Sequence, residues 1–317
     1  MNRFFFHDVD LLAKRIIGHT LQLDQFSPGP FQGKLQEIRI DDVQFLREGA
    51  NRALLKHGTK SPAMTSFSIS LDDAHGEIYC NDAPISNTAL LVTQGTDLPE
   101  LRTTDRYDVA ILTVPTACLQ DLASDEGRIQ RNAVGIRTLP ATHHAALKTL
   151  LLTIADAASG DSAVFSMAQT RKALRDTLLL ELGRLNDGGA HDAQTSPRLS
   201  STARRQIVSR VRELVMTRPD APFTVLDLCR ELNVSRRKLQ YSFEETLGTH
   251  PTWYLRVLRL NAVRRELRRQ SSMDVSVGDV AYRWGFWHLS RFAMHYRQLF
   301  GELPSDTLKR APFLPSA

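Results

Sequence analysis

The chain has 317 residues, 42% hydrophobic and 24% charged, with a formal net charge of +5, and that length accommodates two domains with separate cores. No apolar run approaches the ~18–20 residues of a membrane-spanning helix, and residues 1–8 lack the apolar core and small-residue cleavage site of a signal peptide, so no membrane association and a cytoplasmic location are expected. The charge is unevenly placed: from Arg198 onward 21 Lys and Arg face 11 Asp and Glu, a balance of +10, whereas the preceding 197 residues carry −5, the asymmetry of a polyanion-binding module joined to a neutral or acidic partner domain.

Residues from about Phe31 to Leu119 read as β-rich. Short alternating or apolar runs recur at 35–40, 66–71 and 109–114, separated by turn-type segments at 81–84 and 93–97. Such spacing predicts an antiparallel sandwich or barrel rather than a parallel α/β sheet. Cys80, Cys118 and Cys229 are isolated, with no CxxC pair, and read as reduced thiols.

The periodicity turns helical near Thr142. Leu147, Leu150, Leu151 and Ile154 form one stripe, and Leu174, Leu178, Leu182 and Leu185 a second. Either stripe can pack on the barrel or make a helical dimer interface. Residues 186–201 are polar and rich in Gly, Ser, Asp and Pro, the composition of an interdomain linker. Beyond Thr202 everything reads as helix.

That last region contains an internal duplication. Leu228-Cys229 stands four residues before Asn233-Val234, with Leu239, Phe243, Gly248 and Pro251 following. Val280-Ala281 stands four residues before Gly285-Phe286, with Phe292, Tyr296, Gly301 and Pro304 following. The early positions are offset by 52 residues and the later ones by 53, so the second turn carries one inserted residue.

Each copy has the punctuation of a helix-turn-helix. Two short helices crossing steeply need a small side chain at the crossing, supplied by Cys229 and Ala281. Four residues later the turn needs a left-handed backbone, which Gly adopts freely and Asn tolerates; Gly285 and Asn233 meet that demand. Leu239/Phe243 and Phe292/Tyr296 are i,i+4 pairs for the inner face of each second helix. Gly248 and Gly301 end those helices, and the prolines three residues on prevent continuation. Thr224, with Asp227 three residues later, is the expected cap of the first unit. Between the copies, Thr252 to about Gln270 reads as one helix of roughly 28 Å with Leu255, Leu258, Ala262 and Leu267 inward. A strut of that length suits two recognition helices set about 34 Å apart on one side of a duplex.

The outward face of the first recognition helix carries Arg236, Arg237, Gln240 and Tyr241. Arg pairs bidentately with guanine and Gln with adenine in the major groove. For the second helix, Leu289, Ser290 and Met294 are expected at the groove, with His288 and Arg291 beside them. Ser235, Arg256, His288, Arg291 and Arg297 are the candidate phosphate contacts, which fix register without reading sequence.

The duplication resembles the AraC/XylS family of bacterial transcription regulators over about Thr202 to Arg310. The most specific stretch is Val280 to Phe292, containing Trp284-Gly285-Phe286-Trp287, followed by Phe300-Gly301-Glu302-Leu303-Pro304. Asn233 to Gln240 also fits. The resemblance puts Arg237, Gln240 and Tyr241 at base-contact positions. It implies a cupin-like sensor barrel ahead of the helices, a small-molecule effector, a homodimer built on Leu147, Leu150, Leu151, Ile154, Leu174, Leu178 and Leu182, and activation through RNA polymerase. Two features depart from the family pattern. Cys229 stands where Ala is usual, and the second recognition helix offers Leu289, Ser290, Ala293 and Met294 where polar base readers often sit, which suits shape and phosphate contacts better than base readout.

The expected architecture is therefore α+β: a cupin-like antiparallel β-barrel over 1–141, a helical dimerisation segment over 142–185, a linker over 186–201 and an all-α double helix-turn-helix domain over 202–317, with double-stranded DNA as partner. A regulator answering to a protein partner or to its own abundance is the alternative. A metal-dependent cupin enzyme is a remote one, because His57 and His75 are far apart, no HxH-plus-Glu pattern exists, and no GxSxG, P-loop or HExxH motif appears. No catalytic residue, metal or cofactor is expected.

Overall fold

Residues 2–72, 78–81, 83–120, 134–159, 165, 167–187, 202–218, 222–269 and 275–310 are described by the computed structural model. They fall into two units. One comprises Met1–Leu23, Gln32–Cys80 and Pro84–Ser196, the other Asp24–Phe31, Asn81–Ala83 and Pro197–Ala317.

The first unit is built on two sheets. The seven-stranded one has the order β1 (Asn2–Phe6), β3 (Gly33–Ile40), β4 (Val43–Ala50), β11 (Tyr107–Pro115), β6 (Met64–Ser70), β9 (Ala89–Thr93), β12 (Val134–Thr138). The five-stranded one runs β2 (His19–Gln25), β5 (Leu54–Lys60), β10 (Asp97–Arg102), β7 (Ile78–Cys80), β8 (Ala83–Ile85). The alternating runs expected at 35–40, 66–71 and 109–114 are β3, β6 and β11. Strand structure begins earlier than the expected Phe31, with β1, β2 and a short helix α1 (Val9–Arg15) between them. Asp8 caps α1, its carboxylate accepting the N–H groups of Asp10 and Leu11 at 2.9 and 3.0 Å.

Register decides which side chains meet. In the β6–β11 pair, Phe67 lies opposite Leu112 and Ile69 opposite Ala110, while Ser68 lies opposite Ile111 and Ser70 opposite Val109. Because side chains alternate between faces, one face of the large sheet is aromatic and aliphatic. The other mixes serines with Val109, Ile111, Leu46 and Glu48.

The apolar face is covered by α3 (Ala141–Ala157) and α4 (Ala168–Asp187), which follow α2 (Thr116–Gln120) and β12. Leu147, Leu151, Ile154, Leu178 and Leu182 are buried in one cluster with Ile38, Phe45, Phe67 and Leu112, and Leu150, Leu174 and Leu185 pack partly buried against it. For Leu147, Leu151, Ile154, Leu178 and Leu182, burial against the sheet of the same chain takes the packing alternative of the two left open for these stripes, whereas Leu150 and Leu174 keep part of their surface exposed. The helix α4 runs to Asp187, two residues into the linker expected over 186–201, and the remaining residues 188–201 lie outside the described residues.

The second unit is helical: α5 (Thr202–Thr217), α6 (Val225–Glu231), α7 (Arg236–Leu247), α8 (Pro251–Arg269), α9 (Val277–Arg283), α10 (Leu289–Phe300) and α11 (Pro304–Lys309). The expected strut is α8, and Leu255, Leu258, Ala262 and Leu267 are buried as anticipated. Tyr254, Val257, Leu260, Asn261, Val263 and Arg264 are buried too, so α8 is surrounded on most sides, which is why its apolar residues do not form a single stripe.

The segment Asp24–Phe31 completes this unit. Gln25 and Asn261 exchange two hydrogen bonds, backbone N–H to Oδ1 and Nδ2 to backbone carbonyl, both 2.9 Å. The fully buried Asp24 is ion-paired with Arg265 and stands 3.9 Å from Arg212.

Candidate nucleic-acid interface

The first helix-turn-helix is assembled from its caps inward. Thr224 and Asp227 form a reciprocal capping box at the start of α6: Asp227 N–H donates to Thr224 Oγ1 at 3.2 Å and Thr224 N–H to the Asp227 carboxylate at 2.9 Å. The Thr224 hydroxyl, donating to the Asp227 carboxylate at 2.7 Å, and then the Thr224 N–H hold that carboxyl below the usual carboxylate range. The turn closes where Val234 N–H donates to the Cys229 carbonyl at 3.0 Å, with Asn233 at φ +50°. Ser235 then caps α7, accepting from Lys238 N–H at 3.1 Å. On the inner face of α7, Leu239 and Phe243 are fully buried, and Gly248 ends the helix at φ +58°.

The second unit repeats this with the same bonds. Ser276 and Asp279, 52 residues after Thr224 and Asp227, form the same reciprocal box at α9. Phe286 N–H donates to the Ala281 carbonyl at 2.9 Å, and Gly285 sits at φ +78°. A Cβ at Gly285 would come within 2.3 Å of Pro222 Cβ, so glycine is required here by both backbone and space. Phe292 and Tyr296 pack edge to face at 5.7 Å, and Gly301 ends α10 at φ +74°. The copies differ at the start of the recognition helix: His288 occupies the N-cap of α10 with no side-chain cap bond, where the first copy has Ser235.

The outward faces carry the remaining chemistry. Arg236, Arg237, Gln240 and Tyr241 are all exposed on α7 and surround a shallow concavity together with Glu244. The Arg237 guanidinium lies 5.4 Å from the Tyr241 ring centroid and donates to its hydroxyl at 3.4 Å. Gln240 Nε2 donates to Glu244 Oε1 at 3.0 Å. The pairings stiffen three long side chains before any ligand arrives, which lowers the entropy lost on ordering them. Glu244 was not anticipated, because its value lies in the i,i+4 bond to Gln240 rather than in any motif.

On α10, His288, Leu289, Ser290, Arg291, Met294 and Arg297 are exposed. Beside them Trp287, 66% exposed, stacks on Tyr282 at 6.1 Å between centroids. Trp287 belongs to the family-like stretch but was assigned no role from sequence. Arg256 is half-buried on α8. Burial, then the nearby Arg256 charge, push the His295 imidazole below its ordinary value, with Arg291 adding to the effect. The phosphate candidates Arg256 and Arg291 thus both act on His295, a residue not singled out from the sequence. Ser235 has a second duty, since its oxygen caps α7.

The first unit offers a different site. Its two sheets face each other across a cavity of about 130 Å³ lined from both. Among the described residues no group of three or more His, Cys, Asp and Glu could hold a metal; His75 lies outside them. Among the same residues no helix is long and apolar enough to cross a membrane.

Residues 228–310 match the helix-turn-helix domain family. The chain is 41% identical over 92 residues to a regulatory protein of the thc operon from Rhodococcus erythropolis, covering 29% of this chain and 28% of that protein. It is 44% identical over 77 residues to the XylDLEGF operon transcriptional activator of Pseudomonas putida, 24% of each. It therefore spans about a quarter of the length of these curated relatives, which are named as regulatory proteins. Among solved structures, the AraC-like transcriptional activator CuxR aligns at 15% identity and a TM-score of 0.43, over 82% of this chain and 94% of that one.

Proposed function

We propose that this chain, which carries the DNA-binding domain of the AraC/XylS family, is a sequence-specific transcription activator that sets α7 and α10 into successive major-groove segments of a duplex. The observation that carries the reading is the duplicated unit: two capping boxes, two left-handed turns and two glycine-ended recognition helices at matched offsets, the exposed face of α7 polar and cationic and that of α10 setting Leu289 and Met294 among Ser290, Arg291 and Arg297. Arg237, Gln240 and Tyr241 read bases; Arg236 supports them. Leu289, Ser290 and Met294 lie against the groove floor, where apolar atoms contact thymine methyl groups. Ser235, Arg256, His288, Arg291 and Arg297 hold phosphates.

Activation is favoured because the Pseudomonas putida relative is named as an activator. RNA polymerase is then the natural partner, and the first unit, with its cavity, the natural place for a small-molecule effector to act. The test is binding of the full chain to a randomised duplex library. Arg237→Ala should lose about 1–3 kcal/mol of discrimination at one base pair, whereas Arg297→Ala should weaken binding evenly across sequences and reduce its salt dependence. Equal losses at every sequence for both variants would contradict the assigned roles.

A further inference from the structure

We infer that the cavity in the first unit takes an uncharged, hydrogen-bonding molecule about one ring in size, and discriminates against carboxylates and long-chain acids. This rests on the reading of the first unit as a sensor. Size sets the first limit: about 130 Å³ is close to the ~150 Å³ of an engineered protein cavity that holds benzene, too small for an extended acyl chain.

The walls set the second limit. Ser66, Ser68 and Ser70 of β6 line one side, and Ile78, Leu98 and Leu101 belong to the opposite sheet. Ser66 is already bonded to Thr113 at 3.0 Å. The Ser70 hydroxyl donates to the Asp72 carbonyl at 3.0 Å and keeps its lone pairs, and half-buried Ser68 lies beside the same void. Both sheets thus mix polar groups with aliphatic carbon, the larger setting Leu46, Val109 and Ile111 beside its serines and the smaller Lys56 and His57 beside its leucines.

Charge sets the third limit. Among the described residues lining the cavity, the acidic and basic ones are Glu48 and Lys56, accompanied by His19 and His57. Lys56 Nζ lies 2.6 Å from Glu48 Oε1, and the Tyr107 hydroxyl donates to the same oxygen at 2.5 Å. The ammonium also stands 4.4 Å from the Tyr107 ring centroid. Glu48 and Lys56 side chains are 2% and 12% exposed, so each is matched inside the wall and their charges cancel. Burial lowers the His19 pKa and favours its neutral ring. A carboxylate ligand would have to draw Lys56 away and leave a buried Glu48 unpaired, and an ammonium ligand would do the converse; removing one partner of a buried pair is strongly unfavourable. A neutral ligand disturbs neither.

The experiment is thermal unfolding of the full chain with benzyl alcohol, benzoate, benzylamine or decanoate at equal concentration, repeated on Glu48→Gln and Lys56→Met. Benzyl alcohol at about ten times its Kd should raise the Tm of the unmodified chain by about 2–5 °C, with no rise for the other three. Glu48→Gln, which frees Lys56, should gain a response to benzoate, and Lys56→Met, which frees Glu48, a response to benzylamine. Should Lys56→Met fail to fold, the nearly isosteric Glu48→Gln carries the test alone. A rise with benzoate or decanoate in the unmodified chain equal to that with benzyl alcohol overturns the ligand class while leaving the sensor reading intact. No shift with any probe in the chain or in Glu48→Gln overturns the inference and the sensor reading together.

Discussion

Asn233 and Gly285 hold the same left-handed position in the two turns by different means. Asn tolerates φ +50°, where a non-glycine backbone costs about 1–2 kcal/mol relative to its preferred conformation. Gly285 faces Pro222 as well. Replacing each by alanine should therefore rank them: Gly285→Ala should lose more stability than Asn233→Ala, by denaturant unfolding of the full chain, and equal losses would contradict the steric account. His19 gives a pH test. Its folded pKa lies below 6.5 because burial disfavours the charged ring, so the unfolded chain binds the proton more readily. Stability should be complete above pH 6.5 and fall as the pH drops below it. His19→Phe should flatten that slope in unfolding measured at about pH 7.5 and about pH 5.5; an unchanged slope would contradict the assignment. At this scale the sequence made Asn233, Gly285 and Thr224 legible, because turn and cap chemistry are local. Glu48 and Lys56 were invisible, since their meeting depends on cross-strand register, and His295 matters only through neighbours on α8 and α10.

Elements divide along a similar line. The leucine stripes of α3 and α4 were readable from periodicity, but what covers them was not. An apolar stripe looks the same whether it meets a sheet of its own chain or a second copy, and burial against Phe45, Phe67 and Leu112 decides for the former. Leu182→Ala should therefore cost about 2–5 kcal/mol of unfolding free energy and leave the sedimentation behaviour of the folded protein unchanged. A clean shift in oligomeric state with no stability loss would restore the interface reading. In the second copy, the Ser276–Asp279 box repeats the Thr224–Asp227 box, so the duplication extends further toward its start than the aligned core residues indicate. Ser276→Ala should cost about 1 kcal/mol, observable as loss of amide protection in α9 by hydrogen exchange; undiminished protection would count against the box as a stabilising feature.

For the molecule as a whole, the separation of positive charge toward the end and the double helix-turn-helix were apparent from residues alone. The contribution of Asp24–Phe31 to the helical unit was not. Asp24 and Arg265 are 241 positions apart, and nothing in local pattern announces that they pair. Assays of DNA binding are therefore best made on the full chain, where Asp24 and Gln25 are present to complete the unit around α8. If α7 and α10 read one duplex together, selection of the full chain on a random duplex library should enrich a site with two elements about 10 base pairs apart, bound at least about 1,000-fold more tightly than random competitor, with the element read by α7 losing its base preference in Arg237→Ala. Binding that enriches no sequence over the input, or a single element untouched by Arg237→Ala, would contradict that joint reading.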